Sequence, residues 1–118
     1  MLKLGTVMIG SARPKVLGEF YAKVLGKPAW SEDGWYGWEV GNGYLMVGEH
    51  SEVKGSAKEP QRIILNFESR TYKKDYERIK GLGAKVIKEL YQMDGGWMAT
   101  FADPDGNYFQ VTSPWKMA

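Results

Sequence analysis

Apolar positions along this chain follow two different periods, and the switches between them mark its elements. Val16, Leu17, Phe20, Tyr21, Val24 and Leu25 recur at helical spacing, which predicts a helix over 14–25 with Pro14 in its first turn and Gly26 just past its end. A second helix is predicted at about 72–82, where Leu82-Gly83 repeats the Leu25-Gly26 ending. Elsewhere the period is two, the mark of strands with one covered face. In the first strand Val7 and Ile9 oppose Leu4, Thr6 and Met8. Over 62–68, Ile63, Leu65 and Phe67 oppose Arg62, Ile64, Asn66 and Glu68.

Two hairpins follow from turn chemistry. Asn42-Gly43, between strands 35–40 and 44–49, predicts a two-residue turn that pairs Gly41 with Tyr44 and hence Glu39 with Met46. One face then carries Tyr36, Trp38, Val40, Leu45 and Val47, and the other Trp35, Gly37, Glu39, Tyr44, Met46 and Gly48. Asp103-Pro-Asp-Gly106 joins strands 97–101 and 108–112. A loop of Pro104, Asp105 and Gly106, with aspartates capping local donors, pairs Phe101 with Phe109 and Thr100 with Gln110. Trp97, Ala99, Phe101, Phe109 and Val111 form its apolar side; Met98, Thr100, Tyr108, Gln110 and Thr112 form a mixed one. The apolar sides are expected against the helices. Trp38, Trp97 and Phe101 are read as core.

The order of strand, helix and hairpin thus occurs twice, over about 2–50 and 62–113, around a polar segment, 51–61, that carries Gly and Pro and reads as a linker. The second copy has additional residues ahead of its last hairpin. With 118 residues the chain fits one domain, 1–118. A net charge of +2 supplies no basic stripe for nucleic acid, and the absence of cysteine removes disulfides and thiolate ligands. No apolar run has the length of a membrane span, and the N-terminus lacks a basic region followed by an apolar one. The sequence therefore predicts a cytoplasmic protein with no nucleic-acid or membrane partner.

The segments Phe101-Ala-Asp-Pro-Asp-Gly-Asn-Tyr-Phe-Gln-Val111 and Phe20-Tyr21-Ala-Lys-Val-Leu-Gly26 together resemble the vicinal oxygen chelate superfamily, which includes glyoxalase I, ring-cleaving dioxygenases and bleomycin-binding proteins. The resemblance covers nearly the whole chain. It implies an α+β fold in which two βαβββ modules form a curved, cup-shaped mixed sheet, with helices outside and the ligand on the concave side. It also implies a homodimer, and a divalent metal held by the first and last strands of each module.

Carried over residue by residue, those metal positions fall on Thr6, Met46, Ile64 and Gln110, with Arg62 or Asn66 as substitutes for Ile64. A single neutral amide among four is too few donors for a catalytic divalent cation, so no metal cofactor is expected. His50, the one histidine, reads as a surface residue at a strand end. Glu39 and Glu68 fall on the ligand side, where burial would fit a carboxylate for general-base work, and Glu39 is the catalytic candidate. Trp35, Tyr44, Met8, Met46, Met98 and Tyr108 provide an apolar lining, with Thr6, Asn66, Thr100 and Gln110 as hydrogen-bonding groups. The expectation is a metal-independent protein that binds a partly aromatic, neutral or anionic organic molecule. Two alternatives stand beside it: a metal-dependent lyase, isomerase or dioxygenase, and a dimerisation module whose cup its own side chains fill.

Overall fold

The computed structural model describes residues 1–114, and the chain divides into two units, Met1–Gly55 and the segment from Ser56 onward. In the first unit β1 (Val7–Ser11), α1 (Pro14–Leu25), β2 (Trp30–Glu32), β3 (Trp35–Val40) and β4 (Gly43–Glu49) follow in order. Their sheet has the strand order β1-β4-β3-β2, with β1 parallel to β4 and the other pairs antiparallel. The second unit repeats this with β5 (Leu65–Glu68), α2 (Tyr72–Gly81), β6 (Lys85–Met93), β7 (Gly96–Ala102) and β8 (Tyr108–Thr112) in the order β5-β8-β7-β6. Each unit is a βαβββ module of an α+β fold.

Each helix covers one face of its own sheet. Leu17, Tyr21 and Val24 of α1 are buried with Trp38, Leu45 and Val47, and the Tyr21 ring meets Trp38 edge-on at 6.4 Å. Trp38 Nε1 also donates to the Gly26 carbonyl at 2.9 Å, tying the sheet to the end of α1. The Tyr36 ring lies where a side chain on Gly18 would stand, so the helix can approach β3 only because Gly18 has none. In the second unit Tyr76 and Ile79 of α2 are buried with Phe101, Phe109 and Val111, and Phe101 stacks on Phe109 at 5.4 Å. Fully burying each large side chain contributes about 1.5–3 kcal/mol.

The predicted helices and face assignments hold, and the differences lie at strand ends and turns. The first hairpin pairs Glu39 with Tyr44 and Val40 with Gly43, two residues from the expected pairing of Glu39 with Met46. Gly41, at φ 59°, takes the first central position of the turn, the place where a II′ turn wants glycine, so the loop is Gly41-Asn42 rather than Asn42-Gly43. A shift of two residues leaves every side chain on its predicted face. The strand expected over 62–68 begins at Leu65, which leaves Ile63 75% exposed instead of packed. Val16 is exposed on α1.

Two strands absent from the sequence reading, β2 and β6, complete the modules. Asp33-Gly34 and Asp94-Gly95, all four at positive φ, turn β2 into β3 and β6 into β7. Asp-Gly between strands is the I′ hairpin signal that would have found both. β2 is only three residues long, and β6, at nine, carries two irregularities that break its alternation.

Candidate functional site

On the face turned away from α1, aromatic rings rest on glycines. The Trp35 ring lies over Gly48 and the Tyr44 ring over Gly37; a methyl group at either glycine would collide with the ring above it. Trp35 and Tyr44 are consequently half-buried against their own sheet. Met46 sits beside Gly37 on one side and Met8 on the other, and Trp30 of β2 pairs with Gly37, so Trp30, Gly37, Met46 and Met8 form a row across all four strands. Trp30 and Met8, at the sheet edges, are 42% and 50% exposed. Sequence reading placed Trp30 nowhere, because β2 is too short to show a period.

The corresponding row in the second unit is polar. Lys88, Thr100, Gln110 and Asn66 stand side by side across β6, β7, β8 and β5. Gln110 Nε2 donates to Thr100 Oγ1 at 2.9 Å, which fixes the amide with its oxygen free to accept from another donor. A second row holds Tyr91, Met98, Thr112 and Glu68, of which Met98 and Thr112 are buried. Tyr108 pairs with Ala102 at the far end of the same face. Here the pairing of Phe101 with Phe109 and Thr100 with Gln110 agrees with the expected register. The turn beyond it is held by Asp103, whose Oδ1 accepts from the Asp105 and Asn107 amides at 2.9 and 3.0 Å.

Thr6 and Ile64 do not join these rows. Thr6 precedes β1 and is exposed, and Ile64 precedes β5. The parallel pairings put Met8 beside Met46 and Asn66 beside Gln110, and Thr6 and Ile64 each stand two residues earlier, ahead of their strands. Glu39 and Glu68 lie on the predicted faces, yet both are exposed, so the burial that would fit them for general-base work is missing. His50 is exposed at the end of β4, where its Nδ1 accepts from the Glu52 amide at 3.2 Å.

A divalent metal of the kind the resemblance implies requires imidazole or carboxylate donors in a cluster. In the first unit Met8 and Met46 offer thioethers, in the second Asn66 and Gln110 offer neutral amides, and among the described residues no three of His, Cys, Asp and Glu converge. Thioethers and neutral amides are poor donors for such an ion.

Two shallow hollows of about 340 and 300 Å³ border α2, the first between Lys80 and Glu89 and the second along 70–74. Lys80 closes on Glu89 at 3.3 Å, and that hydrogen bond, with Tyr76 adding to it, raises the Lys80 pKa above its usual value. Both hollows lie apart from the two rows. At the start of α2 burial pushes the Asp75 carboxyl up, but the Ser69 and Thr71 hydroxyls and Arg78 outweigh it and hold its pKa below 3.8.

Residues 6–112 match the model of the glyoxalase-like domain. The chain belongs to that family, and with it to the vicinal oxygen chelate superfamily. Among solved structures it is similar to a glyoxalase/bleomycin resistance protein/dioxygenase family enzyme from Burkholderia phytofirmans PsJN, with 22% identity, a TM-score of 0.75, and 95% of this chain and 98% of that one covered. A glyoxalase-related enzyme from Fulvimarina pelagi gives 15% identity and a TM-score of 0.78 over 100% and 94% of the chains. An antibiotic binding protein from Streptomyces sp. CB03234 gives 17% and 0.76 over 98% of each. At these identities the likeness concerns the fold. No curated protein matches the sequence.

Proposed function

We propose that this protein binds a small, partly aromatic, neutral or anionic organic molecule without a metal, against the sheet faces turned away from its helices. The observation that carries the reading is the construction of those faces. Glycines at 37 and 48 let Tyr44 and Trp35 lie flat, and flat rings with adaptable methionines beside them suit a planar apolar body. On the second unit's own face the fixed Gln110–Thr100 pair and Asn66 offer directional hydrogen bonds of the kind that orient a small molecule. That a protein of the same fold is described as antibiotic-binding agrees with this. Met8 and Met46 belong to the face of the first unit and Met98 and Tyr108 to that of the second, while Thr6 and Ile64 precede the strands. The reading takes the protein as a cytoplasmic homodimer.

Tryptophan fluorescence tests it. A panel of planar organic molecules is expected to contain members that quench the wild type saturably, and Trp35→Phe is expected to remove most of that change. Unchanged quenching in Trp35→Phe would sink the assignment of the face, and one equivalent of zinc, nickel, manganese or iron in the purified protein would replace the reading with a metal-dependent lyase, isomerase or dioxygenase. A blue shift that grows with protein concentration, without ligand, would instead indicate that the face is buried between copies.

A further inference from the structure

In a regular strand residues two apart share a face and residues three apart do not. β6 breaks this rule twice. Val86 pairs with Phe101 and Lys88 with Thr100, so β6 advances two residues while β7 advances one; from Lys88 to Tyr91 it advances three while β7 advances two. Each step inserts one additional residue, the signature of a β-bulge. Without the first, Lys88 would share the face of Val86, which is the face of Phe101, buried against α2. Without the second, Tyr91 would stand on the opposite face from Lys88. With both, the two side chains come together on the open face, and Lys88 Nζ sits 3.9 Å from the centre of the Tyr91 ring. An exposed lysine on an edge strand needs no such device merely to be solvated. Bulges are over-represented at sheet edges and next to active sites, where they re-aim a side chain.

The placement has chemical content. Lys88 heads the row Lys88, Thr100, Gln110, Asn66, and the Gln110 amide already donates to Thr100 Oγ1, which leaves the Thr100 hydroxyl proton for a different acceptor. Lys88 and Thr100 are cross-strand partners, so an ammonium and a hydroxyl, two donors suited to the oxygens of a carboxylate, come from paired residues, and the Tyr91 ring keeps the ammonium at this edge of the sheet. We propose that Lys88, aimed by the two bulges and steadied by Tyr91, recognises an anionic group of the ligand, which makes the preferred ligand class aromatic carboxylic acids rather than their neutral counterparts. This rests on the small-molecule reading above and narrows it to a charge.

The test is calorimetric titration with a matched panel: benzoate, 2-naphthoate and indole-3-acetate against the corresponding primary amides. The wild type is expected to bind the best carboxylate about tenfold more tightly than its amide, as a charge-assisted hydrogen bond in place of a neutral one would give. Lys88→Met should abolish that preference by weakening the carboxylate far more than the amide, and Lys74→Met, which removes the same charge from α2, should retain it. Lys88 is exposed, so the variant is expected to melt with the wild type. Equal binding of acids and amides by the wild type, or a preference that survives in Lys88→Met, overturns the role of Lys88 and leaves the small-molecule reading standing. Failure of every member of the panel to bind overturns both.

Discussion

The two modules share a helix-side core and differ on the opposite face. On the helix side, Tyr21 and Val24 of α1 correspond to Tyr76 and Ile79 of α2, and Trp38 beside Leu45 corresponds to Phe101 beside Phe109. On the other face, the row Trp30, Gly37, Met46, Met8 has become Lys88, Thr100, Gln110, Asn66. The second strand grew from three regular residues to nine with two bulges. Packing density explains the asymmetry. A buried position meets neighbours on every side and tolerates only similar volumes, whereas a face without a helix above it is free to exchange apolar paving for polar recognition.

The core correspondence is tested by its largest expected effect. Trp38→Ala and Phe101→Ala should each cost about 3–5 kcal/mol, since each empties a buried aromatic site. Denaturant titration that gave one variant a loss below about 1 kcal/mol would break the equivalence of the two cores.

The opposite faces should respond in opposite directions. Gly48 and Thr112 hold corresponding places on the last strands, Gly48 beneath the Trp35 ring and Thr112 buried with a hydroxyl that finds no hydrogen-bond partner among the described residues. Gly48→Ala should destabilise by about 1–3 kcal/mol through overpacking, because the obstruction is a ring and not the tip of a flexible chain. Thr112→Val should be neutral or stabilising by up to about 1 kcal/mol, since it replaces an unpaired buried hydroxyl with a methyl group. Thermal melts that showed Gly48→Ala unharmed would mean that the Trp35 ring is not seated where the glycine floor places it.

The smallest difference lies in the helix starts. α1 opens with Pro14 and no acidic residue in its first turn, while α2 carries Asp75, bonded to Ser69 at 2.6 Å and paired with Arg78. The Asp75 pKa is lowered in the folded state, so its stabilisation is complete above the unfolded value of 3.8 and is lost as pH falls through the folded one. Asp75→Asn should therefore cost about 1 kcal/mol at pH 6 and less as the pH drops below that value. An equal loss at pH 6 and pH 2.5 would show that the carboxylate charge is not what stabilises α2.

Much of the molecule was legible in the sequence. Helical spacing located the first helix and a repeated Leu-Gly ending the second, and alternation assigned the side chains of β3, β4, β7 and β8 to their faces. Pro104 and Gly106 fixed the last register, because a proline and a glycine in one short loop leave few backbone solutions. The first hairpin slipped by two since Gly41-Asn42-Gly43 offers glycine to two competing turns, and only the pairing of whole strands chooses between them. Alternation is a local consequence of the pleat, so sequence alone determined the duplicated module and its covered faces. Tertiary structure decided what depends on neighbouring strands: the rings seated on Gly37 and Gly48, the pairing of Asn66 with Gln110, and the two bulges that turn Lys88 to the open face. A bulge has no fixed sequence signature, because it records a mismatch between two strands and belongs to neither one alone.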